Sequence, residues 1–259
     1  MNNLSDMIWI ELRKAISSRM PLWTSLGSLF MPLGIAFLIF VAKNPEISQK
    51  LSLVSAKANL IAYSATDWPT YLGVSGQIIA VGGFFLLVMA VSWVFGREFA
   101  DGTLKDLLAV PVERASILLA KFIVVAIWSV LLTIVIFIAS LVMGVILKLP
   151  GGTTGVVLQD SGLVLITACL VIGVVTPFAF FASVGRGYLL PMGVAVLLVM
   201  MANLVAVLGW GEYFPWAVPM FYAQRENSLA PISYWIVFLT GLVGMIATYL
   251  WWKYADQNR

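Results

Sequence analysis

There is no histidine in this chain, and Cys169 is the single cysteine among 259 residues. The first absence removes imidazole metal ligands and histidine acid–base chemistry. The second removes any internal disulfide, and because Cys169 lies in an apolar run it reads as a small core residue. Charge is scarce too: Asp, Glu, Lys and Arg make up 10% of the chain, against about 25% in an ordinary soluble domain. A net charge of +3 is too small to mark a nucleic-acid surface. What is present is apolar, at 61% hydrophobic residues and a mean hydropathy of +1.00. That composition describes an all-α integral membrane protein.

A helix needs roughly 20 apolar residues to cross a hydrocarbon core of about 30 Å. Six segments meet this, near residues 22–41, 71–95, 118–147, 161–183, 188–209 and 232–252. The first is too long for the apolar part of a signal peptide, is preceded by Asp6 and Glu11, and has no small-residue cleavage site after it, so it is expected to remain. Lys and Arg set the orientation. One face carries Arg13, Lys14, Arg19, Arg97, Lys105, Arg114, Lys121, Arg186, Lys253 and Arg259, and the other only Lys43, Lys50, Lys57, Lys148 and Arg225. The positive-inside rule places both termini in the cytosol. Trp23, Trp93, Trp210, Trp235, Trp251 and Trp252 fall near span ends and read as an interfacial belt, while Trp128 lies deeper.

No Asp, Glu, Lys or Arg falls in the middle of a predicted span, which weighs against proton relays, ion-coupled carriers and voltage sensors. Gln77 and Asn203 are the main strongly polar side chains within the spans, each read as a helix-to-helix hydrogen bond or a contact on a translocation path. Pro177 is expected to kink the fourth span and Pro191 to sit in the first turn of the fifth. Neither a catalytic constellation nor a metal site is expected. Met192, Met200, Met201 and Met220 are the thioethers left for a soft metal, and methionine more often fills apolar space.

Two polar segments stand out. In residues 1–21, Leu4, Ile8, Trp9, Leu12, Ala15 and Ile16 project to one side of a helix with Asp6, Arg13 and Lys14 opposite, the pattern of a helix lying in the interface. Ile10 and Glu11 interrupt it, and a merely polar lead-in is the alternative. Residues 96–117 form a charged island between two apolar runs. Gly102 permits a tight turn, Thr103 can cap a short helix, Leu104, Leu107 and Leu108 share one face of it, and Pro111 ends it. The charges of such an island can also be simply solvated.

Glu98, the Gly102-Thr103-Leu104 triplet, Leu107-Leu108, Pro111, Arg114 and Lys121 resemble the first cytosolic loop of type-2 ABC exporter permeases. The amino-terminal ELRKAISSR, with Glu11, Lys14 and Arg19, resembles that family's interfacial lead-in helix. Glu113 departs from the pattern, since many relatives have Ser or Thr before the arginine. The resemblance implies one transmembrane permease domain over residues 1–259, with residues 103–108 as a coupling helix between spans two and three, docked in a groove of a nucleotide-binding subunit. It further implies Glu98 and Arg114 as braces, two separate ATPase subunits carrying ATP and Mg, a second permease copy or paralogue, and a lipid environment in the bacterial cell (inner) membrane. No G-x-x-x-x-G-K-[ST] phosphate loop occurs in the chain, so it is not expected to hydrolyse ATP or to hold a cofactor itself. In residues 210–231, Trp210, Tyr213, Phe214, Trp216, Phe221 and Tyr222 crowd among Pro215 and Pro219, either as the partly inserted outer hairpin of that family or as an aromatic belt. The expected cargo is amphipathic or lipid-like, an antimicrobial peptide being the type that short permeases of this family resemble exporters for. An ion-coupled secondary transporter and a non-transporting assembly factor are the alternatives.

Overall fold

The computed structural model describes residues 3–44, 46–47, 67–109, 112–224 and 229–254. The helices are α1 (Asn3–Ser17), α2 (Met20–Lys43), α3 (Trp68–Ile78), α4 (Phe84–Ala100), α5 (Leu104–Ala109), α6 (Arg114–Ile146), α7 (Thr154–Val175), α8 (Phe178–Val184), α9 (Leu189–Val207), α10 (Val218–Ala223) and α11 (Pro231–Tyr254). Six spans are long and apolar enough to cross a membrane among the described residues: α2, α3 with α4, α6, α7 with α8, α9, and α11. The second and third spans are each 33 residues. At about 1.5 Å per residue such a helix runs to about 50 Å, so it stands well clear of a 30 Å hydrocarbon core.

Local chemistry places the breaks. Asp67 opens α3 with a capping box, its carboxylate accepting the Thr70 N–H at 3.0 Å while the Thr70 hydroxyl accepts the Asp67 N–H. A π-helical turn at Ile79–Gly83 joins α3 to α4. Here the Met31 side chain of α2 lies against Gly82, where a Cβ would come within 2.6 Å of it. Pro177 has no N–H to continue α7, and the fourth span breaks between Val175 and Phe178 as the sequence predicts. The break is seated on α11: a Cβ on Gly244 would lie 2.5 Å from the Pro177 Cα, and one on Gly241 would lie 3.1 Å from the Gly173 carbonyl oxygen. Small residues at a helix crossing allow such backbone approach inside a membrane. Pro191 lies in the first turn of α9.

The second span occupies the centre of the bundle, packed by α2 and α6 on one side and by α7, α8 and α9 on the other. Its inward side chains Tyr71, Leu72, Phe84, Val88, Val91 and Phe95 form the core with Val124, Val171, Val174 and Phe178. Residues 211–223 fold back as a short 3₁₀ turn (Gly211–Tyr213) and α10, which packs on α7 and α3. The Trp216 indole N–H donates to the Val174 carbonyl at 3.0 Å, just before the proline break. Arg225 and the rest of the segment to Ser228 lie outside the described residues.

Two expectations need correction. Trp252 does not belong to an interfacial belt: it is fully buried, its indole N–H donates to the Ser183 hydroxyl at 2.9 Å, and its ring meets Phe99 edge-on. In α1 the inward stripe is Met7, Glu11 and Ala15, while Trp9 and Ile16 are exposed. Glu11 therefore does not interrupt the inward face but is part of it.

Candidate functional site

α1, the end of α4, the start of α6 and the end of α11 meet at one end of the bundle, here called the loop end because α5 lies there. Lys121, two turns into α6, is fully buried. Its ammonium donates to Glu11 Oε2 at 3.0 Å, to Glu98 Oε1 at 2.9 Å and to the Val94 carbonyl at 3.0 Å. Lys14 completes the cluster from the open side, 2.8 Å from Glu11 Oε1 and 3.2 Å from Glu98 Oε1. Two ammoniums face two carboxylates, so the buried charges balance. The cluster ties three elements far apart in the chain to one point.

Such a group is stable only if every charge is compensated, since an unpaired ion out of water costs several kcal/mol. Burial would lower the Lys14 pKa, but Glu11 and Glu98 outweigh it and hold it above the ordinary lysine value. Glu98 Oε2 is buried with no hydrogen-bond partner among the described residues.

From Glu98 the chain runs directly into the loop. Arg97 Nε pairs with Asp101 at 3.3 Å, and Gly102 takes φ +71°, the left-handed turn that favours glycine. The Thr103 carbonyl accepts the Leu107 N–H at 3.1 Å, starting α5. Leu104 is buried in the chain's own core and Leu107 packs against it, so these leucines face the bundle. Among the described residues of the turn and α5, Asp101, Gly102, Thr103, Lys105 and Ala109 are exposed. The Leu108 side chain and the whole of Pro111 lie outside the described residues. Beyond the loop, Arg114 Nη1 donates to the Trp252 carbonyl at 2.7 Å, fastening the start of α6 to the end of α11.

The remaining predicted residues lie elsewhere. Arg19 is exposed at the start of α2, away from the cluster's ion pairs. Gln77 is half-buried at the far end, where it lines a recess of about 240 Å³ with Thr70, Ala223 and Gln224. Asn203 is exposed on α9 and donates to the Val199 carbonyl of its own helix at 2.8 Å. Asp160, near the far end of α7, is buried as well, ahead of the predicted start of that span. No group of three His, Cys, Asp or Glu suited to a metal occurs among the described residues. Sequence reasoning gave Lys121 a place at the edge of the loop but not its role. The signal was there in two anomalies, a carboxylate on the apolar side of α1 and a lysine just inside an apolar run.

Comparison with known proteins gives an independent reading. The model of a family described as ABC-2 family transporter protein matches residues 7–203. The bacitracin transport permease protein BCRB of Bacillus licheniformis is 26% identical over 193 residues, covering 72% of this chain and 91% of that protein. The uncharacterized protein YhcI of Bacillus subtilis (strain 168) is 34% identical over 89 residues, 34% of this chain and 28% of that protein. No solved structure matches.

Proposed function

The chain belongs to the ABC-2 family of transporter proteins and is a membrane permease subunit of an ABC exporter, and from that premise we propose that it forms the transmembrane half of a two-permease, two-ATPase machine that moves an amphipathic, peptide-like or lipid-like cargo outward. The match over residues 7–203, which takes in most of α1, the loop, four whole spans and most of the fifth, carries the reading. Similarity to a bacitracin permease favours an antimicrobial peptide as cargo. The excess of Lys and Arg at the loop end favours a cytosolic position for it in a bacterial cell membrane.

In this reading α5 is the coupling helix. ATP and Mg bind the partner ATPases, which dock on the exposed Thr103, Lys105 and Ala109. Leu104 and Leu107 anchor the helix to the bundle, and Arg114 and the Glu11–Lys14–Glu98–Lys121 cluster brace both ends of the loop. Gln77 and the break at Pro177 are candidates for the path of the cargo, and Asn203, exposed on α9, for a second permease copy.

Mild-detergent purification of the tagged chain from its host tests this. An ABC ATPase should co-purify in near-equal amount with ATP hydrolysis, and Thr103→Tyr with Lys105→Glu should release it while the permease stays inserted and monodisperse. A permease that emerges alone, or an ATPase that stays bound to the double variant, would remove the assignment.

A further inference from the structure

Between α1 and the loop end of α4 lies an open recess of about 350 Å³, lined by Trp9, Ile10, Arg13, Lys14, Ser17, Ser18 and Arg97. Three of its lining residues are cations and none is an acid. The nearby carboxylates are accounted for: Glu11 and Glu98 face Lys14 from behind, and Asp101 takes the Nε edge of Arg97. Arg97 is held over the Trp93 ring, its guanidinium 4.9 Å from the centroid. A guanidinium held in place beside two further cations, with no acid in the lining, suits an oxyanion. Arg13 is exposed, and its guanidinium makes no hydrogen bond or ion pair among the described residues; its carbonyl accepts from the Ser17 hydroxyl.

We propose that Arg13, Lys14 and Arg97 bind the phosphate of an anionic phospholipid headgroup in this recess. Its level selects lipid over free phosphate. The recess lies where α1 meets the ends of the spans, and its walls include the exposed apolar side chains of Trp9 and Ile10. Those walls suit the glycerol and upper acyl region of a lipid and offer a free phosphate nothing. The inference needs only the membrane-spanning fold and stands apart from the export reading. Its consequence is local: Arg97 precedes Glu98 in the chain and Lys14 already bonds Glu98, so a bound headgroup steadies the root of the loop.

The test titrates purified permease in neutral detergent with phosphatidylglycerol, phosphatidylcholine or inorganic phosphate, bound lipid being counted by native mass spectrometry. Phosphatidylglycerol should bind at least about tenfold more tightly than phosphatidylcholine, whose phosphate carries the same charge but brings a choline cation toward the same three cations. Arg13→Gln with Arg97→Gln should abolish that preference. Arg13→Gln alone, a surface change that leaves folding intact, should weaken it by about threefold. Equal binding of the two lipids overturns the proposal, as does a preference that survives both substitutions. Displacement of the lipid by inorganic phosphate at equal concentration makes the recess a free-phosphate site and refutes the lipid. Loss of a co-purifying ATPase in Arg13→Gln, with lipid binding unchanged, makes it a protein-docking surface and also refutes it.

Discussion

Replacing Lys121 by Met should be among the most damaging single changes in this protein. Methionine fills most of the volume of the lysine stem but leaves Glu11 and Glu98 buried opposite a single, partly exposed Lys14. Removing one partner from a buried ion pair costs about 3–5 kcal/mol, much of a typical total stability of about 5–15 kcal/mol. The loss comes chiefly from the stranded carboxylates and less from the lost attraction, so removing a carboxylate as well should restore most of it. Lys121→Met with Glu98→Gln leaves one carboxylate facing one ammonium, and the double variant should sit within about 1–2 kcal/mol of the parent. The coupling energy should then be at least about 2 kcal/mol in the stabilising direction. Denaturant titration in mixed micelles, followed by circular dichroism, gives all four corners of the cycle. Additive losses would show that the four charges do not act as one unit, as would a Lys121→Met variant within 1 kcal/mol of the parent, and the bracing role of the cluster would fall with them.

Other expectations follow from the same contacts. Gly244→Ala pushes a methyl into the Pro177 backbone, which cannot yield, and should destabilise by about 1–3 kcal/mol. Gly193→Ala, at a helical glycine with nothing within 4 Å, should stabilise by about 0.5–1 kcal/mol, so melting curves that move in the same direction for both would contradict the packing at the break. Lys14 titrates above the ordinary lysine value of 10.5, so its unfolded form loses the proton first. Its stabilisation is complete below that value and fades as pH rises through the folded one. The melting temperatures of the parent and Lys14→Met should differ by a constant amount at neutral and mildly alkaline pH and converge at higher pH. A gap that persists unchanged in strong alkali would mean that the Lys14 stem, and not its charge, carries the contribution.

Much of the fold was legible because its signals are local. A span announces itself as an apolar run, Pro177 as a missing donor, Gly102 as a turn, and each needs only its neighbours in sequence to be read. The site was legible in its parts but not in its assembly. Lys121 lies 110 residues from Glu11, and a pairing over that distance leaves no periodic trace in either helix. The i, i+3, i+4 spacing of Leu104, Leu107 and Leu108 defines an apolar face without saying which side of the membrane surface it meets. The structure turns Leu104 into the bundle, so the face offered outward is the opposite one. Trp252 misled for a related reason, since an indole near a span end satisfies either a headgroup or a buried hydroxyl, and only the position of Ser183 decides between them.

The bond from Arg114 to the Trp252 carbonyl also bears on how the protein is made. Its two ends are separated by 138 positions, and every span after the second lies in whole or in part between them. During synthesis the loop emerges early, yet one of its two footings does not exist until the final helix has entered the membrane and Trp252 has found Ser183. A chain halted before α11 presents the loop residues without the clamp that fixes their angle. Correct posture of the loop is thus a report, written by the last span, that the whole bundle has been completed.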